Sequence, residues 1–463
     1  MSFPKYPACQ ETDVEWLGQV PAHWTVFALK RSVEGCVNGI WGNEPDGSND
    51  IVVIRVADFN RAQARVDLDK LTLRSVTPTE RVTRLLRSGD LLIEKSGGGD
   101  KTLVGSVVLF DHEFDAVTSN FVARMRPLDG FDSGFLCYAF QALFDGRVNY
   151  PSVKQTTGIQ NLDSEAYLQE RFSFPPPHEQ VKIARFLDHE TSRIDALIAE
   201  QQRLIELLKE KRQAVISQAV TKGLDPSVPM KDSGVEWLGA TPEHWTITPL
   251  KHHVGLNPSK TGEKLALQAA CSFVPMEKLK LGSLELDEIR TISDVFDGYT
   301  YFQEGDLLQA KVTPCFENMN MAIAEGLVGG VGFGSTEINV LRTASTLSTR
   351  FLYYRLQEDA FMEYGTSSMI GAGGLKRVPS ETLRSFSFGL PPLDEQQRIA
   401  DYLDEKTGEL EDLTTLAHRS IELLSERRSA LISAAVTGKI DVRNWQPPLT
   451  PQTARSEELV AHG

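Results

Sequence analysis

VEWLGQVPAHW at residues 14–24 returns as VEWLGATPEHW at residues 235–245. Each copy opens one half of the chain, and each half closes on a long amphipathic stretch. The likeness extends well beyond the tryptophans. Trp16 and Trp237 are 221 positions apart, whereas later landmarks repeat at 216. Ser88-Gly89-Asp90-Leu91-Leu92 is answered by Glu304-Gly305-Asp306-Leu307-Leu308, and Lys95 by Lys311. FLCYAFQA (135–142) is answered by FLYYRLQE (351–358), and PPPHEQVKIARFLD (175–188) by PPLDEQQRIADYLD (391–404). Five residues are therefore gained in the first half between Leu29 and Ser88, where the copies differ most. A repeat this long exceeds solenoid units of roughly 20–50 residues, so each copy is expected to be a domain plus its connector.

Composition agrees with that division. A chain of 463 residues with 41% hydrophobic residues can give several folding units a core each. No apolar run reaches membrane-spanning length, and MSFPKYPACQ lacks the basic and apolar regions of a secretion signal. A cytoplasmic protein without a membrane segment is the expectation. Cys9, Cys36, Cys137, Cys271 and Cys315 have no CxxC spacing, which fits a reducing compartment and predicts no zinc site. The net charge of −15 runs against nucleic-acid binding, which draws on Lys and Arg to neutralise phosphates. Placement qualifies the total. Residues 51–107 carry Arg55, Arg61, Arg65, Lys70, Arg74, Arg81, Arg84, Arg87, Lys95 and Lys101, while acid is heavy near the C-terminus, in Glu405, Glu409, Glu411 and Asp412 of the second helical stretch. A solvated mixed-charge surface also accounts for such a cluster.

From Glu179 to Val220 no proline or glycine interrupts. Leu187, Ile194, Leu208 and Val215 fall on one heptad position and Leu197 and Leu204 on the other. A helix of that length spans roughly 63 Å at about 1.5 Å per residue. The second copy repeats the seam with Leu403, Leu410, Leu424 and Leu431 plus Leu413, and Gln201 and Ala417 occupy matching positions. Gly223 and Gly438 mark the stops. Two matched seams satisfy each other as an antiparallel pair; the alternative is a helix packed only on its own domain.

Between the opening motif and the helix, each half reads as mixed α and β. DIVVIRVADF (50–59), GDLLIEKS (89–96), GSVVLF (105–110) and NFVARMRP (120–127) have the composition of strands, and FLCYAFQALF (135–144) has helical spacing. The fold class is thus α+β, with long helices as spacers. Trp16, Trp24, Trp237 and Trp245 are expected as core anchors.

Sites for chemistry fail on inspection. SGGGDKT (96–102) has Asp100 where a phosphate loop needs glycine before the lysine, and its spacing is short. GGVGFG (329–334) does not lead from strand into helix as a dinucleotide site would. No HExxH or NPPY-like tetrapeptide occurs. His23 and His244 recur inside the Pro-x-His-Trp frame, where a hydrogen-bonded structural imidazole is the expectation. No catalytic constellation assembles from the sequence.

The ordered double set of VEWLGxxPxHW, GDLLIEKSGGG with GDLLQAK, and FPPPHEQVKIARFLD with LPPLDEQQRIADYLD resembles the specificity subunit of type I restriction-modification systems. The resemblance covers nearly the whole chain up to about residue 441. It implies two pseudo-twofold related α/β target-recognition domains separated by two long antiparallel coiled-coil helices. The expected divisions are a first recognition domain over 1–174, a helical spacer over 175–224, a second recognition domain over 225–390, a second spacer over 391–440, and a flexible tail over 441–463. The implied partners are double-stranded DNA, two methyltransferase subunits docked on the helices and restriction subunits in the full complex. The chain itself is expected to be non-catalytic and to bind no cofactor. S-adenosylmethionine, ATP and Mg are expected on the partner subunits. A non-catalytic coiled-coil scaffold that binds protein only is the alternative, and the net charge favours it.

Candidate DNA-binding residues lie in polar, glycine-punctuated loops: Lys95, Ser96, Lys101, Lys154, Gln155, Thr156 and Gln160 in the first half, and Lys311, Thr313, Ser368, Lys376 and Arg377 in the second. Lys and Arg bond guanine O6 and N7, and Gln bonds adenine bidentately. A helical spacer converts residues into distance. Inserting four residues near Ala199 is expected to move the domains about 6 Å further apart and to lengthen the unread stretch of target at about 3.4 Å per base pair. Methylation mapping reads the spacing, and an unchanged spacing from an assembled complex contradicts a helical ruler.

Overall fold

The computed structural model describes residues 3–447 apart from 99–102, 157, 262, 264 and 373, and at Thr156 the backbone alone. The chain divides into two compact units, one formed by residues 1–200 and 420–463, the other by residues 201–419. Each unit therefore holds one mixed α/β region, the first part of the helix that follows it, and the last part of the other long helix.

In the first unit the strand readings hold. Asp90–Glu94 is the centre of a six-stranded sheet and runs antiparallel to both Val107–Phe110 and Val122–Met125. A second sheet sets Asp50–Ile54 between Ala116–Thr118, which is parallel to it, and Thr72–Ser75, which is antiparallel. The helix Ser133–Asp145, capped by the Asp132 carboxylate accepting from the Phe135 N–H at 2.8 Å, buries Phe135, Leu136, Tyr138, Ala139 and Phe140 in the main core. In the second unit the counterpart of the parallel pair is Ala270–Val274 beside Val331–Gly334. The last two glycines of GGVGFG serve close packing there. A Cβ on Gly332 would lie 2.1 Å from the Phe302 ring, and one on Gly334 would lie 2.6 Å from the Val274 carbonyl oxygen.

An antiparallel strand pair closes each interior. Thr25–Ala28 pairs with Arg171–Phe174, and Thr246–Pro249 with Ser387–Leu390. The two ends of each variable interior are thereby held side by side at the foot of a long helix.

Those helices run Pro177–Lys222 and Leu393–Val436, 46 and 44 residues. Within the first unit they pair antiparallel: Arg428 Nε donates to Asp195 Oδ1 at 2.9 Å, while Lys182 donates to the Arg443 carbonyl. Leu431, Ile432, Ala435 and Val436 join Ile183, Phe186, Leu187 and Ile194 in one core. The second unit repeats the arrangement with the roles exchanged. Arg212 lies 3.8 Å from Glu411, the 216-position equivalents of Arg428 and Asp195, and Ile216, Ala219 and Val220 pack with Ile399 and Leu403.

The seam differs from its reading in one respect. Leu187, Ile194 and Leu208 are buried, as are Leu403, Leu410 and Leu431, and Leu424 is half-buried. Leu197, Leu204 and Leu413, expected on the second seam position, are exposed instead. That position belongs to Thr191, Ile198, Ile205, Arg212 and Ala219, and in the other helix to Thr407, Thr414, Ile421, Arg428 and Ala435. A heptad steps by three or by four residues. Leu197-Ile198 and Leu204-Ile205 offer an apolar residue to either step, so the pattern left the register open. Buried Thr191 and Thr407 hide the true step in the sequence, each returning its hydroxyl to a carbonyl four residues back at 2.7 Å.

The tail also starts later than 441. Val442 is buried, and Trp445 meets the Phe186 ring edge-on at 5.5 Å; the remainder from 448 lies outside the described residues.

The recurring motifs meet at the first turn of each helix. Glu179 Oε1 accepts from the Trp24 indole N–H at 3.2 Å and from the Tyr6 hydroxyl, and Oε2 lies 2.8 Å from His23 Nε2. Glu395 holds Trp245 and His244 at the same 3.2 and 2.8 Å. Both imidazoles are thus hydrogen-bonded structural groups. Trp24 and Trp245 are core anchors, but Trp16 and Trp237 are each 37% exposed, lying flat against Phe172 and Phe386. The neighbouring glutamine completes the latch. Gln180 accepts from the Asp132 N–H at 3.0 Å and donates to the Pro175 carbonyl at 2.9 Å, and Gln396 does the same with Ser348 and Pro391 at 2.7 and 2.9 Å.

Replacing Glu179 by Ala strands the indole and phenol donors in the core, and about 3 kcal/mol of unfolding free energy should be lost. Glu395→Ala should cost less, because that carboxylate is partly exposed and has no phenol partner. Urea unfolding measures both, and equal losses would contradict the ranking.

Candidate nucleic-acid interface

The duplicated residues outside the helices are also structural. Asp90 chelates Arg126 with two bonds of 2.7 Å, and Asp306 chelates Arg342 at 2.8 and 2.7 Å. In each pair the carboxylate holds the guanidinium's pKa above its ordinary value. Tyr138 donates to Asp188 at 2.8 Å, and Tyr354 to Asp404 at 2.6 Å. What the halves share is framework.

Much of the basic cluster over 51–107 is spent on framework too. Arg55 pairs with Asp58 at 2.6 Å, Arg61 with Glu94 at 2.9 Å and Arg65 with Asp111 at 3.1 Å. Arg74 pairs with Glu44, and Arg81 and Arg84 donate to backbone carbonyls.

The remaining candidates converge on one feature, a β-hairpin that recurs at the same offset in both units. In the first, Val153–Thr156 pairs with Ile159–Leu162, and the latter also pairs with Ser96–Gly97. In the second, Ile370–Ala372 pairs with Leu375–Arg377, and Arg377 bridges to Val312. Gly158 (φ +84°) and Gly374 (φ +83°) occupy equivalent turn positions in the left-handed region, which glycine adopts without steric cost. Gln160 and Leu162 are buried and face the fold, so the alternate positions, Ile159 and Asn161, face outward.

On this feature the candidates fare differently. Lys95 Nζ donates to Asn38 at 2.7 Å, and the Ser96 hydroxyl to Asn161 at 2.6 Å. Lys154 is exposed and bonds Asp163 at 2.7 Å, holding that carboxyl below its usual range. Gln155 lies opposite Gln160 in the hairpin. Gln160 turns inward and accepts from the Val104 N–H at 3.2 Å, which removes it from the outward surface. Thr156 ends its strand, and Lys101 lies outside the described residues. In the second unit Thr313 clamps the hairpin: its hydroxyl donates to the Gly374 carbonyl at 2.7 Å and accepts from the Lys376 N–H at 2.9 Å. Lys311 bonds through its backbone to Glu337 and Val378. Ser368 donates to the Gly365 carbonyl at 2.7 Å and closes the helix Asp359–Ser367. Arg377 is held by Glu337 at 2.9 and 2.5 Å, which lowers the carboxyl's pKa and raises the guanidinium's. Lys376 is exposed, and among the described residues its ammonium has no partner.

Beside the polar candidates, Ile159, Leu375 and Ile370 are exposed on the hairpins. The signal was present in the sequence, because Ile159 and Leu375 are 216 positions apart. Among the described residues no group of three or more His, Cys, Asp or Glu is arranged to hold a metal ion, and no helix is long and apolar enough to cross a membrane.

Residues 299–420 match the type I restriction modification DNA specificity domain. The segment runs from the sheet that carries Asp306 through the second hairpin into the second long helix. The chain is similar to specificity subunits of type I restriction-modification systems. It is 38% identical over 165 residues to the EcoAI specificity subunit of Escherichia coli, covering 34% of this chain and 27% of that one. The chain thus matches about a quarter of the length of that family member. A putative MjaX specificity subunit of Methanocaldococcus jannaschii is 20% identical over 461 residues, 96% of this chain and 99% of the relative. Among solved structures, a chain from a type I R-M system described for its complex assembly and conformational transition aligns with TM-score 0.67 at 15% identity, over 91% of this chain and 99% of its own. The HsdS subunit from Thermoanaerobacter tengcongensis aligns with TM-score 0.51 at 15% identity, over 91% and 98%. These alignments establish the specificity-subunit fold, mixed α/β regions joined to two long helices.

Proposed function

We propose that this chain is the DNA sequence-recognition subunit of a type I restriction-modification complex, with each unit reading one part of a bipartite double-stranded target. The observation that carries this reading is the recurrence of one outward hairpin with different faces. The same framework latches support Lys154, Ile159 and Asn161 in one unit and Ile370, Leu375 and Arg377 in the other. A fixed frame with an exchanged face is what two readers of different sequences require. Phosphate contacts from Lys154 and Lys376 would position each hairpin, and base contacts would specify the sequence. The overall charge of −15 is an average over the chain, and only the local field at the hairpins bears on phosphate.

The helices are proposed to dock two methyltransferase subunits. Leu197 and Leu413 are equivalent and exposed, as are Leu207 and Leu423. The core does not use these leucines, yet they recur at the repeat offset, as two copies of one partner would need. Through that complex the chain would work with restriction subunits in the cytoplasm. It supplies no catalysis in this reading; S-adenosylmethionine, ATP and Mg would bind the partner subunits.

The closing strand pairs mark where a recognition module can be exchanged. Replacing residues 26–170 with the equivalent stretch of another family member, inside the clasp of Thr25–Ala28 with Arg171–Phe174, should change one half of the methylated target and leave the other half intact. Methylome sequencing reads the result, and simultaneous change of both halves contradicts two independent readers.

A further inference from the structure

We propose that Ile159 and Leu375 are thymine-reading residues, each packing its aliphatic side chain on the C5-methyl group of one thymine in its half of the target. The inference rests on the DNA-reading function proposed above and assigns part of its specificity.

Single exposed aliphatic residues are ordinary on protein surfaces. The recurrence is not ordinary. The two hairpins read KQTTGIQN (154–161) and IGAGGLKR (370–377), and apart from the turn glycine they have no identical residue at matched positions. Yet the position after that glycine is aliphatic in both, and both side chains are 49% exposed. Each sits beside a left-handed glycine, and neither belongs to any buried core cluster. Among the described residues, core packing does not account for them.

A two-stranded β-ribbon is one of the two elements that the DNA major groove, roughly 12 Å wide, admits. In that groove the thymine methyl is the apolar mark that the base pairs display, and an aliphatic side chain is its complement. The ribbon surroundings suit this placement. Lys154 lies on the same outward face as Ile159, whereas Lys376, next to Leu375, is exposed on the other face of its strand, so each hairpin carries an exposed lysine for phosphate. Two residues beyond each tip stands a hydrogen-bonding side chain, Asn161 or Arg377, already oriented by Ser96 or Glu337. Ile370 adds a second exposed aliphatic to the outward face of the second hairpin alone.

The test replaces each thymine of the mapped target singly with deoxyuridine, which removes only the methyl group. Binding is measured with the full chain assembled with its methyltransferase. One thymine in each half-site should be sensitive, losing about four-fold in affinity, the scale of one buried methyl-sized group. Ile159→Ala should abolish the sensitivity of the first half-site and leave that of the second, and Leu375→Ala should do the reverse. Full affinity with deoxyuridine at every position, or sensitivity that survives both substitutions, overturns the thymine contact while leaving DNA recognition standing. Failure of the unsubstituted assembly to bind the mapped duplex would instead overturn the DNA-reading function on which the contact depends.

Discussion

A carboxylate at the first turn of each long helix, buried in Glu179 and half-buried in Glu395, holds each unit's architecture together. Glu179 and Glu395 each accept an indole N–H and lie against an imidazole, both supplied by the opening motif 150 or more residues earlier. A carboxylate there also meets the positive end of the helix. Four parts of each unit depend on it. The opening segment is fixed, the closing strand pair is brought to the helix, the adjacent glutamine caps the shorter helix of the unit, and the long helix is aimed. Since an unpaired buried donor costs more than a satisfied one contributes, the latch is strict about its members, and its glutamate, tryptophan, histidine and glutamine stand in both copies.

Strict latches around the rim leave the interior free to vary. The strand pairs that close each interior place its two ends together, so its content can change without moving the helix. The helices bear the same logic. One arginine near the far end of each, Arg428 or Arg212, reaches an acid on the other helix, Asp195 or Glu411, within a single unit. The sequences are duplicated at the latches and divergent at the hairpin faces, which is the distribution of constraint expected of two modules that share a partner and differ in what they read.

Much of this was legible before the structure. The offset of 216 identified the two halves, and the strand compositions located the sheets because their β-branched runs are bounded by turn residues. Four features were not legible, each for a physical reason. The second seam position was taken at Leu197, Leu204 and Leu413 because adjacent leucine and isoleucine residues satisfy either heptad step, and the buried threonines that mark the true step look polar. Trp16 and Trp237 were expected inside, but a ring can lie flat on a phenylalanine and still leave an edge in water. Gln160 was taken as a reader because it is polar and near a glycine, whereas strand alternation turns it inward and leaves Ile159 facing out. Most of the arginines of residues 51–107 have carboxylate or carbonyl partners that composition does not display.

The central claim is that one chain carries two equivalent readers. The most direct measurement is genome-wide sequencing of methylated adenines in cells with and without the gene. The account predicts a gene-dependent motif of two short, different, defined blocks separated by a fixed number of undefined bases. A single uninterrupted motif, or a methylation pattern indifferent to the gene, would contradict it.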